Sequence, residues 1–234
     1  MAIGQTSGTT NFDPYGSEFV LYAYGLCGVR RAAIVQEHMV DARMAMNLML
    51  SAWNNDSPNL WKVDLVEVSL TEGQATYPVD PSTIIVLDTY IRNTDETGNP
   101  IDRIIWPLSR TEYASMPNKD QEGQVTSFWY DRLINPSITL WPVPDGNGPY
   151  TLRYYRCTQI FDITTQGGQT VDLPTRWFDA FAWGLAARLA HSYAPDQVMR
   201  LEPKAKEAYT NAAEQDVEDV SLRIGPSTSG YYVV

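Results

Sequence analysis

Three features of the sequence predict an α+β fold. The apolar period is helical toward both ends of the chain. In the middle it falls to two, where β-branched and aromatic residues collect. Gly, Pro, Asn and Asp cluster between those middle runs, as turns require. The expected architecture is a helical bundle of N- and C-terminal helices packed beside a central antiparallel, β-sandwich-like domain. Its expected parts are a flexible arm over 1–12, a helical bundle from 13–57 plus 174–219, a β-rich domain over 58–173 and a C-terminal docking tail over 220–234.

Asp13-Pro14 predicts the first helix start, with Asp as N-cap and Pro at the first helical position. The helix covers residues 18–26, and Gly25 and Gly28 mark its end. A second helix is expected over 34–53. Met39, Ala42, Met46, Met49, Leu50 and Trp53 fall at spacings of three and four and form one face. Met39, Met44, Met46 and Met49 crowd this helix. Met fills irregular gaps and adapts to partners, so core packing is its first role and a partner surface its second. The run Asn54-Asn55-Asp56-Ser57-Pro58 stops the helix.

Helices return after Leu173-Pro174, with Trp177, Phe178, Phe181, Leu185 and Leu189 on one face and Arg176 and Arg188 at its edges. Ala194-Pro195 breaks the chain. A last helix is expected over 202–219, where Ala205, Ala208, Ala212 and Ala213 allow close helix contact.

In the middle, Trp61, Val63 and Leu65 alternate, then Val66, Val68 and Leu70 alternate on the opposite phase. That slip predicts a β-bulge. Glu72-Gly73 is a turn. Residues 84–91 are nearly all apolar, which predicts a strand buried on both faces. A loop over 95–100, a short strand over 103–108, one helical turn over 110–116 and an aromatic strand over 125–133 follow. Residues 137–143 and 150–157 flank Pro144-Asp145-Gly146-Asn147-Gly148, which predicts a hairpin.

The chain carries 28 acidic and 17 basic residues, a formal net charge of -11. Nucleic-acid wrapping needs clustered Lys and Arg to release counterions, so stable wrapping is not expected. Cys27 and Cys157 form no CxxC pattern and read as buried free thiols, in keeping with a reducing cytoplasm. Residues 1–10 lack the basic and apolar regions of a signal peptide. No apolar run approaches the ~20 residues of a membrane helix.

Signals for catalysis are weak. His38 and His191 lack partners at metal-ligand spacing, and no HExxH, GxGxxG, GxxxxGK[ST] or GxSxG occurs. A pairing of Cys27 with His38 or His191 has only the residue types in its favour. Asp131, Asp145 and Asp162 are the carboxylates nearest aromatic strands. Each reads first as solvated or turn-forming, Asp145 most clearly. Arg30-Arg31 reads first as a solvated loop and second as a contact to phosphate or an acidic partner. No catalytic residue, metal or cofactor is expected.

Several stretches together carry a resemblance. They are Leu-Tyr-Ala-Tyr-Gly-Leu-Cys-Gly-Val (21–29), Asp-Ala-Arg-Met-Ala-Met-Asn-Leu-Met-Leu-Ser-Ala-Trp (41–53) and Asn-Leu-Trp-Lys-Val (59–63). Next come residues 73–78 leading into 84–92, Ile-Thr-Leu-Trp-Pro-Val-Pro (138–144), Leu-Arg-Tyr-Tyr-Arg (152–156) and Leu173-Pro174. In this order, across residues 15–215, the chain resembles the head-to-tail adaptor proteins of short-tailed bacteriophages, also called tail tubular protein A or head completion protein. The resemblance implies a structural virion protein and no enzyme. It implies a ring, usually of twelve copies, seated under the portal protein at the head–tail junction. Such a ring extends the DNA channel and supports tail nozzle or tail fibre proteins. DNA would pass through its lumen without specific binding, and no membrane or cofactor is implied. An acidic wall would repel passing DNA.

Two other classes stay open. A carbohydrate- or receptor-binding tail module would line an exposed groove with Trp and Tyr. A peptidoglycan hydrolase would place two carboxylates in a cleft. Beyond the resemblance, Gly225, Pro226 and Gly230 disfavour a helix over 221–234. Tyr231, Tyr232, Val233 and Val234 are costly to leave in water, at about 25 cal/mol per Å² of apolar area. These four are the expected partner-docking residues.

Overall fold

The computed structural model describes residues 7–56, 60–95, 97–165 and 168–217. Two helices come first, α1 (Gly16–Leu26) and α2 (Gln36–Asp56). Then follow β1 (Val63–Ser69), β2 (Thr76–Pro78), β3 (Thr83–Thr94), β4 (Pro100–Ile104) and β5 (Trp106–Pro107). The short helix α3 (Arg110–Ser115) leads to β6 (Glu122–Gly123), β7 (Ser127–Tyr130), β8 (Ser137–Trp141), β9 (Val143–Pro144) and β10 (Thr151–Thr158). α4 (Phe178–Tyr193) and α5 (Val198–Glu214) complete the described order.

Gly28 ends α1. Its φ of 82° lies in the left-handed region that L side chains avoid. Gly28 N–H donates to Gly25 O and Val29 N–H to Tyr24 O, the paired bonds of a Schellman motif. The start of α1 differs from expectation. Tyr15, not Asp13, is the N-cap, because Tyr15 is held extended in an antiparallel bridge to Thr170. Glu18 then accepts the Tyr15 N–H at 2.8 Å.

α4 is buried on nearly every side and packs against α1, α2 and α5. Its small residues permit this. A Cβ on Gly184 would lie 2.7 Å from Met49 Sδ of α2. α2 buries Ala42, Met46, Met49, Leu50 and Trp53, the expected face, with Met39 half-buried. α5 starts at Val198, four residues before the expected position, and runs through Pro203. Pro203 withholds an N–H from the carbonyl of Met199, a residue on the exposed side of the helix. Buried Leu201 holds that first turn to the core. Trp177 centres the aromatic part of this core, its ring 5.2 Å from Trp53, 5.2 Å from Trp61 and 5.5 Å from Tyr209.

The strands form two four-stranded sheets, in orders β1-β10-β3-β4 and β2-β8-β7-β5, and a small β6-β9 pair. The first sheet is antiparallel throughout. In the second, only β5 and β7 run parallel. Ile91, Leu152 and Tyr154 of the first sheet share a buried cluster with Tyr77, Phe128, Ile138 and Leu140 of the second. The fold is therefore α+β, with helices from both ends of the order packed together beside antiparallel sheets.

Three local expectations are corrected. Residues 137–143 and 150–157 are not a hairpin: β8 pairs with β2 and β7, whereas β10 pairs with β1 and β3. Pro142 and Pro144 offer no N–H to a ladder, and the chain crosses between sheets there. The phase slip near Leu65 is not a bulge. Trp61 sits in a 3₁₀ turn (Leu60–Lys62) against the helical core, and β1 pairs in unbroken register from Val63↔Cys157 to Ser69↔Thr151. The register shifts fall instead between β10 and β3. β3 is not buried on both faces, since only Thr83, Thr89 and Ile91 are fully covered. The aromatic strand β7 is internal, flanked by β8 and β5.

Candidate interaction surfaces

The residues singled out for chemistry are occupied by structural work. His38 stacks on Tyr193 with ring centroids 4.7 Å apart, and its backbone oxygen accepts the Tyr24 hydroxyl at 2.7 Å. Tyr193 donates in turn to Asp41. Burial, followed by the neighbouring Tyr193, pushes the Tyr24 hydroxyl far above its ordinary range. The hydrogen bond to Asp41 raises Tyr193 as well. His191 is exposed, with Nε2 3.1 Å from Glu202 Oε1. Cys27 is buried and its Sγ–H donates to Ala186 O at 3.4 Å; burial pushes its thiol up. Cys157 is buried in β10. Cys27 and the two histidines are thus engaged with different partners.

Two of the three carboxylates hold loops. Asp131 accepts the Ser137 N–H at 2.6 Å and the Ser137 hydroxyl at 2.7 Å. Asp145 accepts the Asn147 N–H at 3.1 Å and the Tyr150 hydroxyl at 2.9 Å. Burial works to raise Asp145, but these hydrogen bonds hold it below the usual carboxylate range. A general acid needs the opposite shift. Asp162 is exposed beside a recess between α2 and residues 159–162. Among the described residues, no group of three or more His, Cys, Asp and Glu is placed to hold a metal ion. No helix among them is long and apolar enough to cross a membrane.

What the surface offers is apolar contact. A groove of about 500 Å³ lies between residues 12–14, α1 and α4. Phe12, Phe19, Tyr22 and Phe178 form its walls, and Glu18, Asp179 and Arg31 stand around it. Arg31 is thus brought to a groove, and Phe12 meets Phe178 edge-on at 6.1 Å. Two further strips are exposed: Val40, Met44 and Leu48 on α2, and Ile101, Ile104 and Trp106 along β4 and β5. Sequence reasoning missed the β4–β5 strip and named only Met44 of the α2 strip, with a partner surface as its second role. The spacing of Val40, Met44 and Leu48 was a readable signal, but the core-facing residues of the same helix share that period. β1, an outer strand, is blunted by charge. Asp64 and Glu67 on it bind Arg156 and Arg153 on β10.

The profile of the family described as SU10 adaptor protein matches residues 30–229. The chain belongs to the SU10 adaptor protein family. No curated protein matches it. The match runs from Arg30 through both sheets and α5, while α1 and Phe12 lie before it. The adaptor is accordingly a bacteriophage head–tail adaptor: a structural component of the virion whose partners are virion proteins such as portal or tail proteins. The expected docking residues Tyr231, Tyr232, Val233 and Val234 lie outside the described residues.

Proposed function

We propose that the adaptor closes into a ring at the head–tail junction of a short-tailed phage, of twelve copies on the family resemblance. The ring joins the portal protein to the tail nozzle or tail fibres and extends the DNA channel. The family match over residues 30–229 carries this reading. Images of portal-bearing heads with bound adaptor are expected to show one closed ring of head-to-tail contacts. Copies joined only through two-fold contacts would sink the proposal, because such contacts pair off rather than close.

The net charge of -11 supports a lumen through which DNA slides. Asp and Glu are expected to outnumber Lys and Arg on its wall. In a filter-binding assay the isolated adaptor is expected to hold duplex DNA no more tightly than a non-specific Kd of about 10⁻⁴ M at physiological salt. Tight binding that weakens steeply with salt would count against a repulsive wall.

The domain organisation is proposed in the same terms. Residues 13–57 plus 174–219 form the helical bundle, 58–173 the β-rich domain, 1–12 an arm and 220–234 a docking tail. Tyr231, Tyr232, Val233 and Val234 would seat on the portal or on a neighbouring copy, by strand addition or in pockets. Removal of 221–234 is expected to leave the melting temperature unchanged and to abolish retention on portal-bearing heads. Retention equal to that of the full chain would end the docking-tail idea.

A further inference from the structure

α2 is apolar on two opposite sides. Ala42, Met46, Met49 and Trp53 face the helical core. Val40, Met44 and Leu48 follow at steps of four and are 50, 58 and 55 % exposed. At 3.6 residues per turn the two stripes stand on opposite sides of the helix. One apolar stripe is enough to hold a surface helix to its core. The outward stripe is therefore not required by the fold of the subunit. Beside Val40 lies a shallow recess of about 410 Å³, lined also by Gln36, Met39, Arg43, Thr164 and Thr165. Arg43 is exposed, and among the described residues its guanidinium has no hydrogen-bond or ion-pair partner.

The opposite chemistry stands at the edge of the sandwich. The chain passes there from β4, an outer strand of one sheet, to β5, an outer strand of the other. Ile105 between them is buried, whereas Ile104 and Trp106 are 65 and 67 % exposed. Alternation along an extended chain sends these two side chains away from the core. An exposed indole is a large apolar projection whose ring face attracts a cation.

The fit of one strip to the other favours a second copy as occupant. Two chains of net charge -11 repel, so copies approach most readily where their local charges are opposite. On α2, Asp41 accepts the Tyr193 hydroxyl and Asp56 the Tyr209 hydroxyl. A neutral hydroxyl offsets no charge, and with Glu37 and Arg43 the helix carries three acidic residues against one Arg. At the sandwich edge, Asp102 is held by two bonds from Arg92, at 2.6 and 2.5 Å. Around the α2 stripe Glu37 and Asp41 outnumber Arg43, whereas at the sandwich edge Arg92 and Arg103 outnumber Asp102, so the two strips carry opposite local charge. Arg43, without a partner among the described residues, stands on one strip and an exposed indole on the other.

We infer that the α2 stripe of one copy receives the β4–β5 edge of the next. Trp106 seats in the recess beside Val40 with the Arg43 guanidinium against its ring, and Ile104 lies along Met44. This inference rests on the ring reading and names its contact. Two unlike surfaces on one chain make a head-to-tail contact, the kind that closes into a ring.

The test uses full-length Met44→Cys and Ile104→Cys variants, mixed on portal-bearing heads and treated with a short bismaleimide. Native Cys27 and Cys157 are buried and do not compete. A cross-linked dimer is expected in the mixture and not with either variant alone. Trp106→Ala is expected to weaken copy-to-copy association about thirtyfold, the effect of losing one hot-spot side chain, with an unchanged melting curve. Closed rings that give no mixed cross-link would overturn this contact and leave the ring reading standing. Cross-linking of Met44→Cys with itself would show a two-fold contact and overturn it too. Heads bearing no closed ring would overturn the ring reading and the contact with it.

Discussion

Replacing Trp177 with Ala is expected to cost about 3–5 kcal/mol and to lower the melting midpoint by about 6–20 °C. Trp177 is 1 % exposed, and its ring meets Trp53, Trp61 and Tyr209 at once. Those three come from α2, from the turn before β1 and from α5. Truncation would open a cavity that none of these elements can fill without moving the others. Trp177→Phe is expected to cost less than about 2 kcal/mol. The Trp177 Nε1 is buried without a hydrogen-bond partner among the described residues, so its loss relieves an unpaired donor. Urea unfolding followed by far-UV circular dichroism measures both. A Phe variant as unstable as the Ala variant would show that the indole nitrogen has a partner after all.

The second large effect lies where the strands meet the helices. Lys62 Nζ is 2.7 Å from Asp172, with the Lys side chain 8 % and the Asp side chain 31 % exposed. The ammonium also sits 3.8 Å above the Phe161 ring, and Asp172 accepts the Phe161 N–H at 3.0 Å. Asp172→Ala strands a buried cation and removes an acceptor, and is expected to cost about 3 kcal/mol. Lys62→Met keeps the apolar stem and leaves a carboxylate that water can still reach. Its expected cost is under about 1.5 kcal/mol. The asymmetry is the measurable result. Equal losses in urea midpoint would mean that the pair contributes through attraction alone, and that burial of the cation carries no separate penalty.

Part of the fold was legible because its signals are local. The core face of α2 follows from apolar spacing, and the same spacing marks Trp177, Phe178, Phe181, Leu185 and Leu189 as buried. Gly28 was readable as the end of α1, since glycine takes the left-handed conformation there at little cost and L side chains do not. Asp145 was readable as a turn former for the same reason: its partner Asn147 lies two residues away. The partners of the two histidines were not readable: His38 of α2 stacks on Tyr193 of α4, and His191 of α4 meets Glu202 of α5.

The exposed apolar strips were the least legible part of the candidate surfaces. Exposure of Ile104 and Trp106 depends on β4 and β5 being outer strands, which no residue near them states. Arg31 reads as a loop cation until Phe12 and Phe178 are brought beside it.

By itself, then, the sequence determined the class of each segment, the buried faces of α2 and α4 and the ends set by Gly and Pro. It did so because helix period, strand alternation and turn chemistry act within a few residues. Only the tertiary structure decided that β8 and β10 part into different sheets, that Trp61 turns toward the helices and that β7 is internal. Strand partners are chosen by which faces can be buried together. Leu152 and Tyr154 are covered with Ile91 against Phe128, Ile138 and Leu140, contacts between segments far apart in the chain. Such choices depend on the whole set of faces competing for one core, and no short stretch of sequence carries that information.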